Sequence, residues 1–171
     1  WTLIKALDFR RIKTYPLKER KNKVKINDFA CLKEGFDGLI PNILKGNELK
    51  EIVNSVANAR KKKKPVVFAI GAHVIKCGLS PLIIDLMKRG VVTAVAMNGA
   101  GAIHDYEIAM IGETSEDVAV EIKKGRFGMV EETGAMMNSA MGKFVDDSVG
   151  MGEALGRDIH EKKLKYREYS I

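Results

Sequence analysis

The chain has 171 residues, 46% of them hydrophobic and 30% charged, with a formal net charge of +7. That length fits one domain able to bury roughly 70% of the surface its unfolded chain exposes, and the apolar content excludes an intrinsically disordered chain. Two cysteines without CxxC spacing, Cys31 and Cys77, no secretory leader and no long apolar run exclude a disulfide framework and a helical membrane span, so the expected setting is the cytoplasm, with both thiols free and buried.

Residues 1–47 lack sustained periodicity and carry the breakers "TYP", "EGFDG" and "PN". They predict an irregular arm with a short strand at 23–26 and a short helix within 37–45, of the kind that packs on a neighbouring subunit. From Glu48 the pattern changes, and residues 48–171 are expected to form the α/β domain proper. Leu49, Ile52, Val53, Val56 and Ala57 recur at the spacing of one helix face, which ends at the lysine run before Pro65.

"PVVFAI" (65–70) is apolar on both parities, which predicts a strand buried on both faces. "SPLIIDLMKRG" (80–90) predicts a helix with Ser80 as N-cap, Pro81 at the first helical position and Gly90 just past the end. "VVTAVAM" (91–97) is a second apolar strand, and strand, helix, strand in that order describes a βαβ crossover within a parallel sheet. Helices are then expected over 102–112, 114–125, 129–145 and 150–163, with Thr114 and Asp117 in capping-box-like spacing at the head of the second. Few strands follow residue 97, so the sheet is incomplete as read.

Basic clusters at 18–25, 60–64 and 162–167 suit an acidic partner. The run "RKKKK" (60–64), however, closes a helix, where cations complement the macrodipole, and no aromatic residue interleaves with it to stack bases. Nucleic acid is therefore not the expected ligand.

In open parallel sheets ligands bind beyond the carboxyl ends of strands. One such end, "IGAHVIKCG" (70–78), offers Gly71, His73, Lys76 and Gly78; the other, "MNGAGAIHD" (97–105), offers Asn98, Gly99, Ala100, Gly101, His104 and Asp105. Small residues at 99–101 let a ligand reach the backbone at a helix N-terminus, which suits a pyrophosphate or ribose hydroxyl. The spacing is not G-x-G-x-x-G, and a close packing corner between strand and helix explains the same residues. In the first turn the dipole stabilises the Asp105 carboxylate and disfavours a charged His104; a neutral His104 fits a donor, a base, or a core or interface histidine. His73 and Lys76 are expected to point into the same crevice. The three histidines, 73, 104 and 160, share no metal-ligand spacing, and there is neither GxSxG nor P-loop. Methionines within 127–142 read as adaptable core fill, and Glu131 and Glu132 as first-turn helix charges, the alternative being that they face a cationic substrate.

The segments "GAHVIKCGLSPLIIDLMKRGVV" and "VAMNGAGAIHDYEIAMIGETSEDVA", with the arm "FRRIKTYPLKERKNKVKINDF" and "GRFGMVEETGAMMNSA", resemble the deoxyhypusine synthase family, most closely its bacterial deoxyhypusine synthase-like branch. The resemblance covers nearly the whole chain and about the first half of a family member. It implies a doubly wound, mostly parallel, Rossmann-like sheet that binds NAD, in a homo-oligomer with active sites between subunits. In the synthases NAD oxidises spermidine, and an aminobutyl group passes through an imine on an enzyme lysine to a lysine of a translation factor.

Residue by residue, the resemblance places NAD contacts at Asn98, Gly99, Ala100 and Gly101, a second set at Gly71, Ala72 and His73, and the glycine preceding the next helix at Gly78. The synthases usually have threonine in place of Asn98, acids in place of Ile103 and His104, and "TSN" in place of "GAH". The family's catalytic lysine lies in the second half, which has no counterpart in these 171 residues. Further residues or a second chain are expected to supply it, Lys76 is not its match, and the catalytic candidates of this chain are His104, Asp105 and His73. The implied function is NAD-dependent transfer of an aminobutyl or related group from a polyamine; the alternative is a non-catalytic nucleotide-binding module.

Overall fold

The structure is a computed structural model, and its described residues are 10, 12–26, 45–143 and 148–171. Within the arm, Leu17–Glu19 form a 3-10 turn and Asn22–Lys25 a strand, β1. The expected helix within 37–45 falls, but for Lys45, outside the described residues. Helix α1 (Lys45–Lys61) ends in Arg60 and Lys61, as its lysine run predicts, but its expected apolar face lies open, with Ile52 and Val53 59% and 56% exposed.

Strands β2 (Val67–Ile70) and β3 (Ala94–Met97) pair in parallel, Val67 opposite Ala94 and Ile70 opposite Met97. Between them run α2 (Ala72–Lys76), where a strand-end loop was expected, and α3 (Ser80–Lys88). A strand is buried on both faces only where layers cover both; this sheet has two described strands, and Val67 is left 59% exposed. Ser80 is not the cap: Gly78, at φ +75°, reverses the chain after α2, Leu79 is already helical at the N-cap position, and Ser80 enters the first turn with a buried hydroxyl that has no partner. Cys77 is exposed rather than buried, because this same reversal holds it at the surface; Cys31 lies outside the described residues.

Helix α4 (Gly99–Ile111) begins three residues earlier than expected and ends at Gly112 in the left-handed region. The helix expected over 114–125 is instead β4 (Glu113–Glu116), then Asp117 as N-cap, then α5 (Val118–Lys123). β4 forms because the arm supplies a partner: β1 lies antiparallel to it, with Asn22 opposite Glu116 and Val24 opposite Thr114. Asp117 caps α5 by accepting the Ala119 and Val120 N–H groups at 3.1 and 3.3 Å. Helices α6 (Glu131–Lys143) and α7 (Met151–Glu161) follow, then a 3-10 turn at Arg167–Tyr169.

The described residues thus form an α/β structure, mostly helical, with one parallel and one antiparallel pair of strands. The described arm packs on its own chain: the Tyr15 N–H donates to the Met129 carbonyl at 2.9 Å and the Glu131 N–H to the Tyr15 carbonyl at 3.0 Å. One apolar core joins Tyr106 and Ala109 of α4 to Met137 and Ala140 of α6 and Leu155 and Ile159 of α7; a smaller one joins Tyr15, Leu17 and Val130. Both surround α4, so the segment carrying His104 and Asp105 is also the packing axis. Among the described residues no helix is long and apolar enough to cross a membrane.

Candidate functional site

The turn after β3 is a helix N-terminus. Asn98 caps α4, its Oδ1 accepting the Gly101 N–H at 2.9 Å, which leaves the Gly99 and Ala100 N–H groups without an intrahelical partner. The two glycines do different work. A Cβ on Gly101 would meet the Met97 Cβ at 3.1 Å, so Gly101 permits the helix to close on the strand; a Cβ on Gly99 would meet nothing within 4 Å, so the backbone there faces open space. The packing corner and the ligand cradle are both present, two residues apart.

That open space belongs to a cavity of about 1110 Å³, floored by the start of α4 and walled by β3, α6 and α7. It exceeds the roughly 300–1,000 Å³ usual for ligand clefts. Its lining includes Asn98, Gly99, Ala100, His104 and Asp105, together with Lys76 from α2. Gly71, Ala72, His73 and Gly78 are not in that lining: α2 turns the His73 side chain outward, where it is exposed, and Gly78 serves the chain reversal. Met137 and Met141 line the cavity while packing in or against the core, so the methionine-rich helix serves both. Glu132, beyond its place in the first turn of α6, accepts the Leu17 N–H at 2.6 Å and fastens the arm.

At the cavity floor lies a buried polar network, of which Arg20, Glu107 and Thr133 also contribute to the lining. Arg20 donates from Nη1 and Nη2 to the two oxygens of Glu107 at 2.8 and 2.6 Å, a bidentate pair with both side chains buried. The Thr133 hydroxyl donates to Glu107 Oε1 at 3.0 Å, and the Thr114 hydroxyl donates to Oε2 through a short bond. His104 Nδ1 lies 2.6 Å from Thr114 Oγ1. Burial pushes the His104 imidazole below its usual range; Glu107 opposes this, while Lys76, Arg20 and His73 reinforce it.

Asp105 departs from expectation. Its carboxylate accepts the Ser170 hydroxyl at 2.6 Å and the Ile171 N–H at 2.8 Å, so it anchors residues 170–171 at the cavity edge. Burial raises its pKa above the usual carboxylate range and outweighs these two hydrogen bonds, the reverse of the stabilised carboxylate that the helix dipole alone predicts. The next residue, Tyr106, donates to Asp158 at 2.6 Å, tying α4 to α7.

Sequence reasoning missed Arg20, Glu107, Thr114 and Thr133. The available signal was Glu107 itself, a carboxylate set between Tyr106 and Ile108 within the mostly apolar run 106–111; a buried acid requires a partner. Among the described residues no group of three or more His, Cys, Asp or Glu could hold a metal ion. No protein-family model, curated protein or solved structure matches the chain.

Proposed function

We propose that the cavity at the end of β3 binds an NAD-type dinucleotide, and that the chain is the nucleotide-binding part of a cytoplasmic deoxyhypusine synthase-like transferase acting on a polyamine. In this reading β2 and β3 belong to a larger doubly wound sheet, and the protein assembles as a homo-oligomer or with a second chain carrying the catalytic lysine. The observation that carries it is the pairing of bare backbone at Gly99 and Ala100 with a cavity of about 1110 Å³. Helix N–H groups of this kind bind phosphate oxygens, and the apolar walls from α6 and α7 suit flat rings. A bound nicotinamide would supply hydride transfer; the chain's own part is to hold the phosphates at Gly99 and Ala100 and to keep water from the apolar walls.

The test is calorimetric titration with NAD. The wild type is expected to bind, and Gly99→Val to abolish binding while leaving the circular dichroism spectrum intact. Retained affinity in Gly99→Val would show that the nucleotide does not contact the turn at Gly99. Non-catalytic binding has one observation in its favour: among the described residues Lys76 is the only lysine lining the cavity. Spermidine left unchanged by NAD-bound protein completed with its lysine-bearing part, followed by mass spectrometry, would decide for it.

A further inference from the structure

We infer that His104 is the proton acceptor of the cavity, its Nε2 presented to an N–H or O–H of the bound ligand and its tautomer set by Glu107 acting through Thr114. A threonine hydroxyl has a single proton to give, and a carboxylate only accepts. Glu107, held by two bonds from Arg20, takes that proton on Oε2, so Thr114 Oγ1 meets His104 as an acceptor. A contact of 2.6 Å between Oγ1 and Nδ1 then requires the hydrogen to sit on Nδ1.

In a neutral imidazole one nitrogen donates and the other is bare. Nε2 is therefore the bare one. It has no partner among the described residues, yet the one buried side-chain polar atom without a partner among those residues is Ser80 Oγ; Nε2 therefore reaches solvent, on a ring that lines the cavity. The charged groups facing the ring are Glu107, Lys76 and Arg20, with His73 beyond. Glu107 is already neutralised by Arg20, and the remaining cation favours the uncharged ring.

Thr114 is wholly buried, and so is Glu107 but for 1% of its surface. They are positioning residues; His104 is the group that touches the ligand. With the polyamine named above, and resting on that reading, the step is a simple transfer. An ammonium proton moves to Nε2, the amine nitrogen keeps its electron pair as a free nucleophile, and the other ring hydrogen stays on Nδ1, donated to Thr114 Oγ1.

The deciding experiment needs no ligand. Protein labelled with ¹⁵N-histidine is examined by long-range ¹H–¹⁵N correlation at neutral pH. One histidine is expected with a protonated Nδ1 and a bare Nε2, its signals absent from His104→Gln. Thr114→Val should convert it to the opposite tautomer, and Thr114→Ser, which keeps the hydroxyl and serves as the folding control, should restore it. Diethyl pyrocarbonate followed by peptide mapping should modify His104 in the wild type and lose that modification in Thr114→Val. A wild-type His104 protonated on Nε2, or one that the reagent does not reach, overturns the inference. Failure of NAD to bind would overturn the nucleotide reading alone, since neither readout uses NAD.

Discussion

Around α4, β4 and the arm, Arg20, Glu107, Thr114 and Thr133 are buried and bonded to one another, whereas around α1 and β2 the apolar residues singled out by periodicity lie open, Ile52, Val53 and Val67 among them. The first region is held by contacts distant in sequence, since Arg20 and Glu107 are 87 residues apart. The second is built of local elements whose apolar faces have no covering layer among the described residues. Periodicity reports which face of an element is fit to be buried; only a second element buries it. The polar network illustrates the converse, since an isolated buried charge is costly and Arg20 and Glu107 each make the other tolerable.

Unfolding should expose this difference most clearly. Glu107→Leu leaves Arg20 buried and unpaired, and is expected to cost about 3–5 kcal/mol in urea denaturation, as is Arg20→Met alone. The double replacement should recover most of the loss, because the unpaired charge and not the missing bond dominates it. Val67→Ala in β2 should change stability by less than about 0.5 kcal/mol, as an exposed substitution does. A loss at Val67 equal to that at Glu107 would break the comparison and mean that the β2–β3 sheet is covered in solution.

Glycines sharpen the same contrast at the boundary between the regions. Gly101→Ala drives a methyl onto Met97, and Gly112→Ala combines φ +72° with a contact 3.1 Å from the Tyr166 ring. Each is expected to cost about 1–3 kcal/mol, by overpacking in the first case and by added backbone strain in the second. Gly99→Ala, two residues before Gly101, should leave the melting temperature unchanged or slightly raised. Equal destabilisation at Gly99 and Gly101 would mean that the turn is a packing corner throughout.

Much of this was legible in the residues. Helices α3, α4, α6 and α7 lie within about three residues of the bounds their sequence patterns predict, and the small residues after β3 mark the cavity floor. Two things were not. Over 114–125, Thr114 and Asp117 both resemble N-caps, and local spacing alone favours one helix. The strand at 113–116 exists because β1, some ninety residues earlier, offers it a partner. The chemistry beneath His104 was hidden for a related reason. Its immediate neighbours in sequence suggest a helix dipole acting on Asp105, but burial sets the behaviour of both side chains, and their partners come from afar: Ser170 and Ile171 for Asp105, Thr114 of β4 for His104.

The smallest expected effect concerns His104 and pH. Because the fold lowers its pKa below the ordinary value of about 6.5, folding favours the neutral ring. That contribution is fully present above the unfolded-state value and is lost as pH falls through the lower, folded-state one. Asp105 has the opposite sign, since its raised pKa gives stability that is present at acid pH and lost as pH rises through the folded-state value. The difference between wild type and His104→Gln cancels the Asp105 contribution, which both proteins share. Melting temperatures recorded from pH 7.5 down to pH 5.5 should therefore converge as the wild type loses the advantage of its neutral ring. A gap that stays constant across that range would mean that His104 is solvated like the exposed His73, and that the buried network stops at Thr114 rather than reaching the cavity.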